Sequence, residues 1–102
     1  MTTIDEMTPA ELNEAIAKTK GWKWYSWSGD YNAAMELVEE MRLEGADVTL
    51  YFSPDDPDIP ERQLCFVENL EELYRFEKWA DDMRISICCS YLKWCEARKE
   101  KE

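Results

Sequence analysis

The sequence predicts a small α/β domain of the α+β type, in which a sheet of about three antiparallel or mixed strands packs against three to four helices. A length of 102 residues suits one domain, and 45 % hydrophobic residues suffice for one modest core. Apolar residues recur at helical spacing in some segments and alternate at strand spacing in others. The predicted order is α-β-α-β-β followed by one or two helices, and one sheet packed on helices buries their apolar faces.

The first predicted helix carries recognisable signals at both ends. Thr8 is a capping residue, Pro9 suits the first helical position, and Glu11 completes a capping box. Gly21 is a typical residue at which a helix ends. The aromatic stretch WKWYSW at 22–27 comes next, and it predicts a strand because large aromatic residues favour extended backbone.

A second helix and a hairpin follow. The helix is predicted within 30–45, where apolar residues recur at helical spacing and either Asp30 or Ser28 serves as its cap. Residues 46–52 alternate between apolar and polar, which is typical of a strand. A proline-rich connection then leads to a returning strand at 62–67.

The last third of the chain contains one ambiguous segment and one long helix. Residues 69–79 favour a helix capped by Asn69, although their alternation also suits a short strand. The final helix is predicted within 81–102, and its expected inner face consists of Ile85, Cys88, Cys89, Leu92 and Cys95. We expect a single domain over 1–102, with a flexible N-terminus at 1–7 and a frayed tail at 98–102.

The charge balance excludes several classes of function. The chain has 23 acidic and 12 basic residues, and this net charge of −11 opposes binding to DNA, RNA or anionic membranes. It has no histidine, which removes histidine-dependent catalysis and histidine-ligated metals. No run of about 18 apolar residues is present to span a membrane. We therefore expect no enzyme activity, no cofactor and no metal.

The four cysteines are expected to be small core residues in a reducing cytoplasm. Cys65, Cys88, Cys89 and Cys95 contain no C-x-x-C pair, and a bridge between the adjacent Cys88 and Cys89 would be strained. Free cysteine is among the most buried residue types. Without a histidine to activate one of these thiols, a nucleophilic role is disfavoured.

Three helical blocks resemble the phage ABA sandwich domain family of small bacteriophage and prophage proteins. They are TPAELNEAIAKTKGW at 8–22, DYNAAMELVEEMRLEG at 30–45 and SICCSYLKW at 86–94, in the order that the family has them. The chain departs from the family in its longer, more acidic segment 68–82 and in Cys89, where a basic residue is more usual. The resemblance implies an α/β sandwich and a phage origin, but no catalytic residues and little about biochemical function. We expect the protein to reside in the host cytoplasm.

Acidic residues are the first candidate binding site. Residues 30–47 contain six acids and one arginine, and a further acidic run occupies 55–61. The second run lacks the glycine of a calcium loop, so we interpret it as a solvated turn. The candidate residues for binding a basic host defence protein are Asp30, Glu36, Glu39, Glu40, Glu44, Asp55, Asp56 and Asp58. Such a protein would inhibit a nucleic-acid-binding effector, in the manner of an anti-CRISPR protein.

Aromatic residues offer an alternative function. A nucleotide second-messenger sponge would stack its ligand on exposed rings and hold the phosphates with lysine. The candidate residues for this role are Lys23, Tyr25, Trp27 and Tyr31. A third alternative is a phage accessory interaction protein without an inhibitory role. The sequence leaves all three open and allows a homo-oligomer.

Overall fold

The three helices and the three-stranded antiparallel sheet of the described residues confirm the predicted fold class. The computed structural model describes residues 3–21, 25–52, 63–69 and 74–101. These residues form a short 3-10 helix, three α-helices and three strands: Ile4–Glu6, α1 Pro9–Lys20, α2 Tyr31–Leu43, β1 Asp47–Phe52, β2 Gln63–Asn69, β3 Tyr74–Ala80 and α3 Met83–Lys101. None of the described helices combines the length and the apolar character that a membrane span requires.

The three strands form one antiparallel sheet in the order β1-β2-β3. Leu50 in β1 pairs with Cys65 in β2, which pairs in turn with Lys78 in β3. Because side chains alternate between the two faces of a strand, this register places Cys65 and Val67 on the same face. Both are fully buried, so this inner face is the one that packs on the core.

Helix α3 lies between the sheet and the other two helices. On one side, the hydroxyls of Ser86 and Ser90 donate hydrogen bonds to the carbonyls of Gln63 and Cys65 in β2, at 2.8 Å and 3.0 Å. On the other side, the ring of Tyr91 contacts α1 and α2. Small serine side chains allow the helix to approach the sheet closely. Because α3 is packed on both sides, more of its residues are buried than predicted. The additional buried residues are Met83, Ser86, Ile87, Ser90, Tyr91 and Trp94.

Both ends of α1 confirm their sequence signals. The Thr8 hydroxyl accepts a hydrogen bond from the backbone N–H of Glu11, and the Glu11 carboxylate accepts one from the Thr8 N–H. Gly21 closes the helix in the left-handed region at a φ of 68°, where a Cβ would be strained. Local interactions therefore define where this helix begins and ends.

We expect the substitution Thr8→Ala to lower the free energy of unfolding by about 1 kcal/mol, because it leaves the N–H of Glu11 without its side-chain acceptor. Urea unfolding followed by circular dichroism measures the change. Thr19→Ala is the control, since the Thr19 hydroxyl only donates to the Ala15 carbonyl within the same helix. Equal stability of Thr8→Ala and the wild type would contradict a stabilising cap.

Two predicted elements differ from the structure. The described part of the predicted strand at 22–27, residues 25–27, contains no strand, and residues 22–24 lie outside the described chain. Asn13 on α1 accepts a buried hydrogen bond of 2.8 Å from the N–H of Ser28, and the Ser28 hydroxyl donates to the Pro9 carbonyl. The end of the aromatic segment is therefore held against α1 and does not join the sheet.

The helix favoured over 69–79 is wrong, and the alternative strand is correct. Residues 74–80 form β3, which pairs with β2 along its whole length. Asn69 is the last residue of β2, where its side-chain amide donates to the Gly45 carbonyl. Pairing with β2 makes this segment a strand, because strand preference depends strongly on the neighbouring strand and the alternation along the segment is not sufficient by itself.

Within the N-terminal stretch 1–7, Ile4–Glu6 form a short 3-10 helix that contacts α3. Ile4 and Met7 are half-buried beside the core, and the Cys89 thiol contacts the Ile4 carbonyl at 3.7 Å. The Asp5 carboxylate lies 2.7 Å from the Lys93 ammonium group and 3.6 Å from that of Lys78. Helix α3 extends to Lys101, through most of the expected tail.

Candidate protein-binding surface

The outward side of α2 is the surface where predicted site residues cluster. Its inward side is apolar and buried, and consists of Ala33, Ala34, Leu37, Val38 and Met41. The opposite side, called here the α2 outer face, consists of Tyr31, Asn32, Met35, Glu36, Glu39, Arg42 and Leu43. This division follows from the helical period, which sends residues three and four apart to the same side.

Asp30 has a structural role at the start of this helix. Its carboxylate accepts hydrogen bonds from the backbone N–H groups of Asn32, at 2.8 Å, and Ala33, at 3.4 Å. Asp30 is therefore the N-terminal cap of α2, whereas the Ser28 hydroxyl donates a hydrogen bond to the Pro9 carbonyl in α1. A carboxylate at a helix N-terminus also interacts favourably with the helix dipole. Asp30 thus stabilises α2, which limits what its charge can offer a partner.

Three of the predicted glutamates form ion pairs within the molecule. Glu39 lies 3.3 Å from Arg42, one turn along the same helix. Glu40 lies 3.1 Å from Lys20 of α1, and Glu44 lies 3.2 Å from Arg98 of α3. Arg42 is already included in the net charge of −5 that the sequence shows for 30–47, so the pairs with Lys20 and Arg98 offset only two of these charges.

Glu36 keeps its charge available to a partner. It is exposed, and no ion pair with it occurs among the residues that the structure describes. The exposed pair of Glu39 and Arg42 contributes little to stability, since such surface pairs are well solvated. Glu36 and Glu39 are thus the carboxylates of the α2 outer face that a partner reaches directly.

The pair of Lys20 and Glu40 belongs to the packing between helices. The Lys20 side chain is only 9 % exposed, and its ammonium group lies 5.4 Å from the centre of the Tyr91 ring. Burial and the neighbouring Glu40 carboxylate raise the pKa of the Tyr91 hydroxyl. This cluster joins α1, α2 and α3 through groups far apart in sequence, so Glu40 is a structural residue.

Exposed apolar side chains accompany the carboxylates of the α2 outer face. Tyr31 and Met35 are about half-exposed, and Leu43 is 79 % exposed. Met35 and Leu43 were not predicted as site residues, although both fall outside the apolar stripe that points inward. Clustered exposed apolar groups beside charges are typical of protein-interaction surfaces.

The aromatic candidates do not come together as a ligand site. Trp27 is 2 % exposed in the core, so it offers no free ring face to a stacked base. Tyr25 is half-exposed beside it, with ring centres 5.8 Å apart. The guanidinium group of Arg84 already covers Tyr31 at 4.7 Å from the ring centre. Lys23 lies outside the described residues.

A concavity beside the N-terminal 3-10 helix is also small. It measures about 120 Å³, against the ~300 Å³ at which sites for drug-sized ligands begin. Its lining consists of Ile4, Met7, Ala15, Thr19, Leu92, Cys95 and Glu96, with no arginine or lysine to hold a phosphate. No described feature therefore favours nucleotide capture.

The cysteines occupy the core as predicted for packing residues. All four are free thiols, three of them are buried, and Cys95 is half-buried. Burial raises the pKa of Cys65 to about 12 and that of Cys89 to about 11. Thiols held protonated in this way are weak nucleophiles and weak metal ligands.

The described residues contain no cluster of three or more potential metal-binding side chains. Asp55, Asp56 and Asp58 lie outside the described residues.

A scan of family models, a search of curated proteins and a search of solved structures each found no match to the chain.

Proposed function

We propose that the protein acts by binding a partner protein through the α2 outer face, and that the partner presents a basic surface. The supporting observation is that exposed carboxylates and exposed apolar side chains share this face: Glu36 and Glu39 lie beside Met35. Apolar groups supply most of the binding free energy in such interfaces, whereas complementary charge speeds encounter and selects the partner.

The more specific proposal is that this partner belongs to a bacterial defence system. A basic surface that holds nucleic acid would accept the carboxylates in place of phosphates, and the inhibitor would then compete with DNA or RNA. A net charge of −11 in 102 residues supports this idea, because such charge accelerates association with a cationic surface. The resemblance of three helical blocks to small phage proteins supports a role in the cytoplasm of an infected host.

We expect the charge reversal Glu36→Lys to weaken inhibition of the target about tenfold, and to reduce its dependence on salt, because the reversal places like charges across the interface. The measurement is competition between the protein and fluorescent DNA for purified DNA-binding effectors of several CRISPR systems. Met35→Ala tests the apolar part of the same face and should also weaken inhibition.

Glu14→Lys is the matched control. It makes the same change in net charge on α1, where it removes only an exposed contact with Lys18. If Glu36→Lys and Glu14→Lys inhibit alike, net charge alone is responsible and the α2 outer face is not the binding surface. If the wild-type protein displaces DNA from no effector, the defence proposal is wrong.

A further inference from the structure

On the face of the sheet that points away from α3, six of nine side chains are exposed and the other three are half-buried. Strand register places them in three rows, which we call together the outer sheet face. The rows are Asp47, Glu68 and Arg75; Thr49, Phe66 and Glu77; and Tyr51, Leu64 and Trp79. This face lies on a different element from the α2 outer face and plays no part in the function proposed above.

Two large rings meet on this face. Tyr51 on β1 and Trp79 on β3 are 48 % and 40 % exposed, and their ring centres are 6.0 Å apart at an angle of 75°. Their strands are separated by β2, so the backbones are about 10 Å apart. The rings therefore lean towards each other above Leu64. Exposed aromatic pairs of this kind are frequent anchors of protein interfaces.

The neighbouring row shows what kind of group this face accommodates. The guanidinium carbon of Arg75 lies 4.5 Å from the centre of the Phe66 ring, and its terminal nitrogen is 4.0 Å from the Glu77 carboxylate. A guanidinium group here gains contacts with both a ring and a carboxylate. Among the described residues, no cation lies over Tyr51 or Trp79.

The charge of the outer sheet face favours a cationic partner. The outer sheet face has three carboxylates, those of Asp47, Glu68 and Glu77, against the single cation of Arg75. A second copy of the chain would bring another acidic face and a net charge of −11 into contact, which is unfavourable. A cationic partner would instead be attracted to these carboxylates, and tryptophan is the aromatic ring that binds cations best.

We propose that the outer sheet face binds an arginine-bearing polypeptide segment, whose guanidinium group lies on the Trp79 and Tyr51 rings with the Glu77 carboxylate nearby. Glu77 and Trp79 are two residues apart on one strand face, about 7 Å along the strand, which is within reach of one arginine side chain. Arginine is favoured over lysine because its flat, weakly hydrated group stacks on rings.

The test is a titration of ¹⁵N-labelled protein with a nine-residue peptide of alternating arginine and threonine, followed by NMR. The variant Trp79→Phe assigns the indole N–H signal of Trp79. We expect this signal to shift and saturate with the arginine peptide, and to respond less to the lysine analogue. Trp79→Ala and Glu77→Lys should each raise the dissociation constant about fivefold, whereas Glu14→Lys should change it less than twofold.

Several outcomes would overturn the inference. Arginine-peptide binding unaffected by Trp79→Ala would exclude these rings, and equal binding of the lysine analogue would exclude guanidinium stacking. Shifts of Trp79 that depend on protein concentration without peptide would show that a second copy occupies the face. Because Glu36→Lys tests the α2 outer face separately, failure of one surface is distinguishable from failure of the other.

Discussion

The substitution Trp94→Ala is expected to lower the free energy of unfolding by about 3–5 kcal/mol. Trp94 is 2 % exposed on α3, and it packs against Tyr91, with ring centres 5.8 Å apart, and beneath Arg98 at 4.5 Å. Its removal leaves a large cavity beside α3, the helix that contacts α1, α2, β2, β3 and the N-terminal 3-10 helix. A domain of this size has a total stability of about 5–15 kcal/mol, so the loss is a large fraction of the whole.

Urea unfolding monitored by circular dichroism measures this effect, and Trp79→Ala is the matched control. The same atoms are removed there from the exposed outer sheet face, where we expect a loss of about 1 kcal/mol from the Tyr51 contact. If Trp94→Ala does not fold, Trp94→Phe keeps a ring in the core and permits the measurement. Equal losses at Trp94 and Trp79 would contradict the central position of α3.

The free energy of unfolding is expected to fall steeply as pH rises from about 9 to 11. Burial raises the pKa of Cys65 to about 12 and that of Cys89 to about 11, from an ordinary value of 9.0, and also raises the pKa of Cys88. The unfolded chain releases these protons from about pH 9, whereas the native state keeps them. The stabilisation is therefore complete below pH 9 and is lost as pH rises through the native pKa values.

Each such thiol lowers stability by up to about 1.4 kcal/mol per pH unit in this range, so three together produce a steep decline. Urea unfolding under reducing conditions at pH 7.5, 9, 10 and 11 measures it. Cys65→Ala removes one titrating group, so the free energy of unfolding of this variant should decline less steeply with pH. The difference in slope should be up to about 1.4 kcal/mol per pH unit, the contribution of one thiol. A free energy of unfolding that stays constant up to pH 11 would show that the thiols are not buried.

The candidate surfaces could be anticipated only in part. The charge of Glu36 and its place on a helix follow from local sequence, because helical spacing shows which residues point away from the apolar stripe. The alternation in 46–52 likewise placed Tyr51 opposite Val48 and Leu50. Contact between Tyr51 and Trp79 was not predictable, because it requires β3, and the sequence favoured a helix over that segment.

What the sequence determined by itself was the fold class, with α1, α2, β1, β2 and α3, because caps and periodicity act between residues a few positions apart. Tertiary structure alone decided that residues 74–80 form a strand and that Trp27 is a core residue. It also decided that Lys20 and Arg98 neutralise Glu40 and Glu44. The two ion pairs join residues 20 and 54 positions apart, and β3 forms only with β2 beside it, so contacts between neighbours along the chain could not reveal these outcomes.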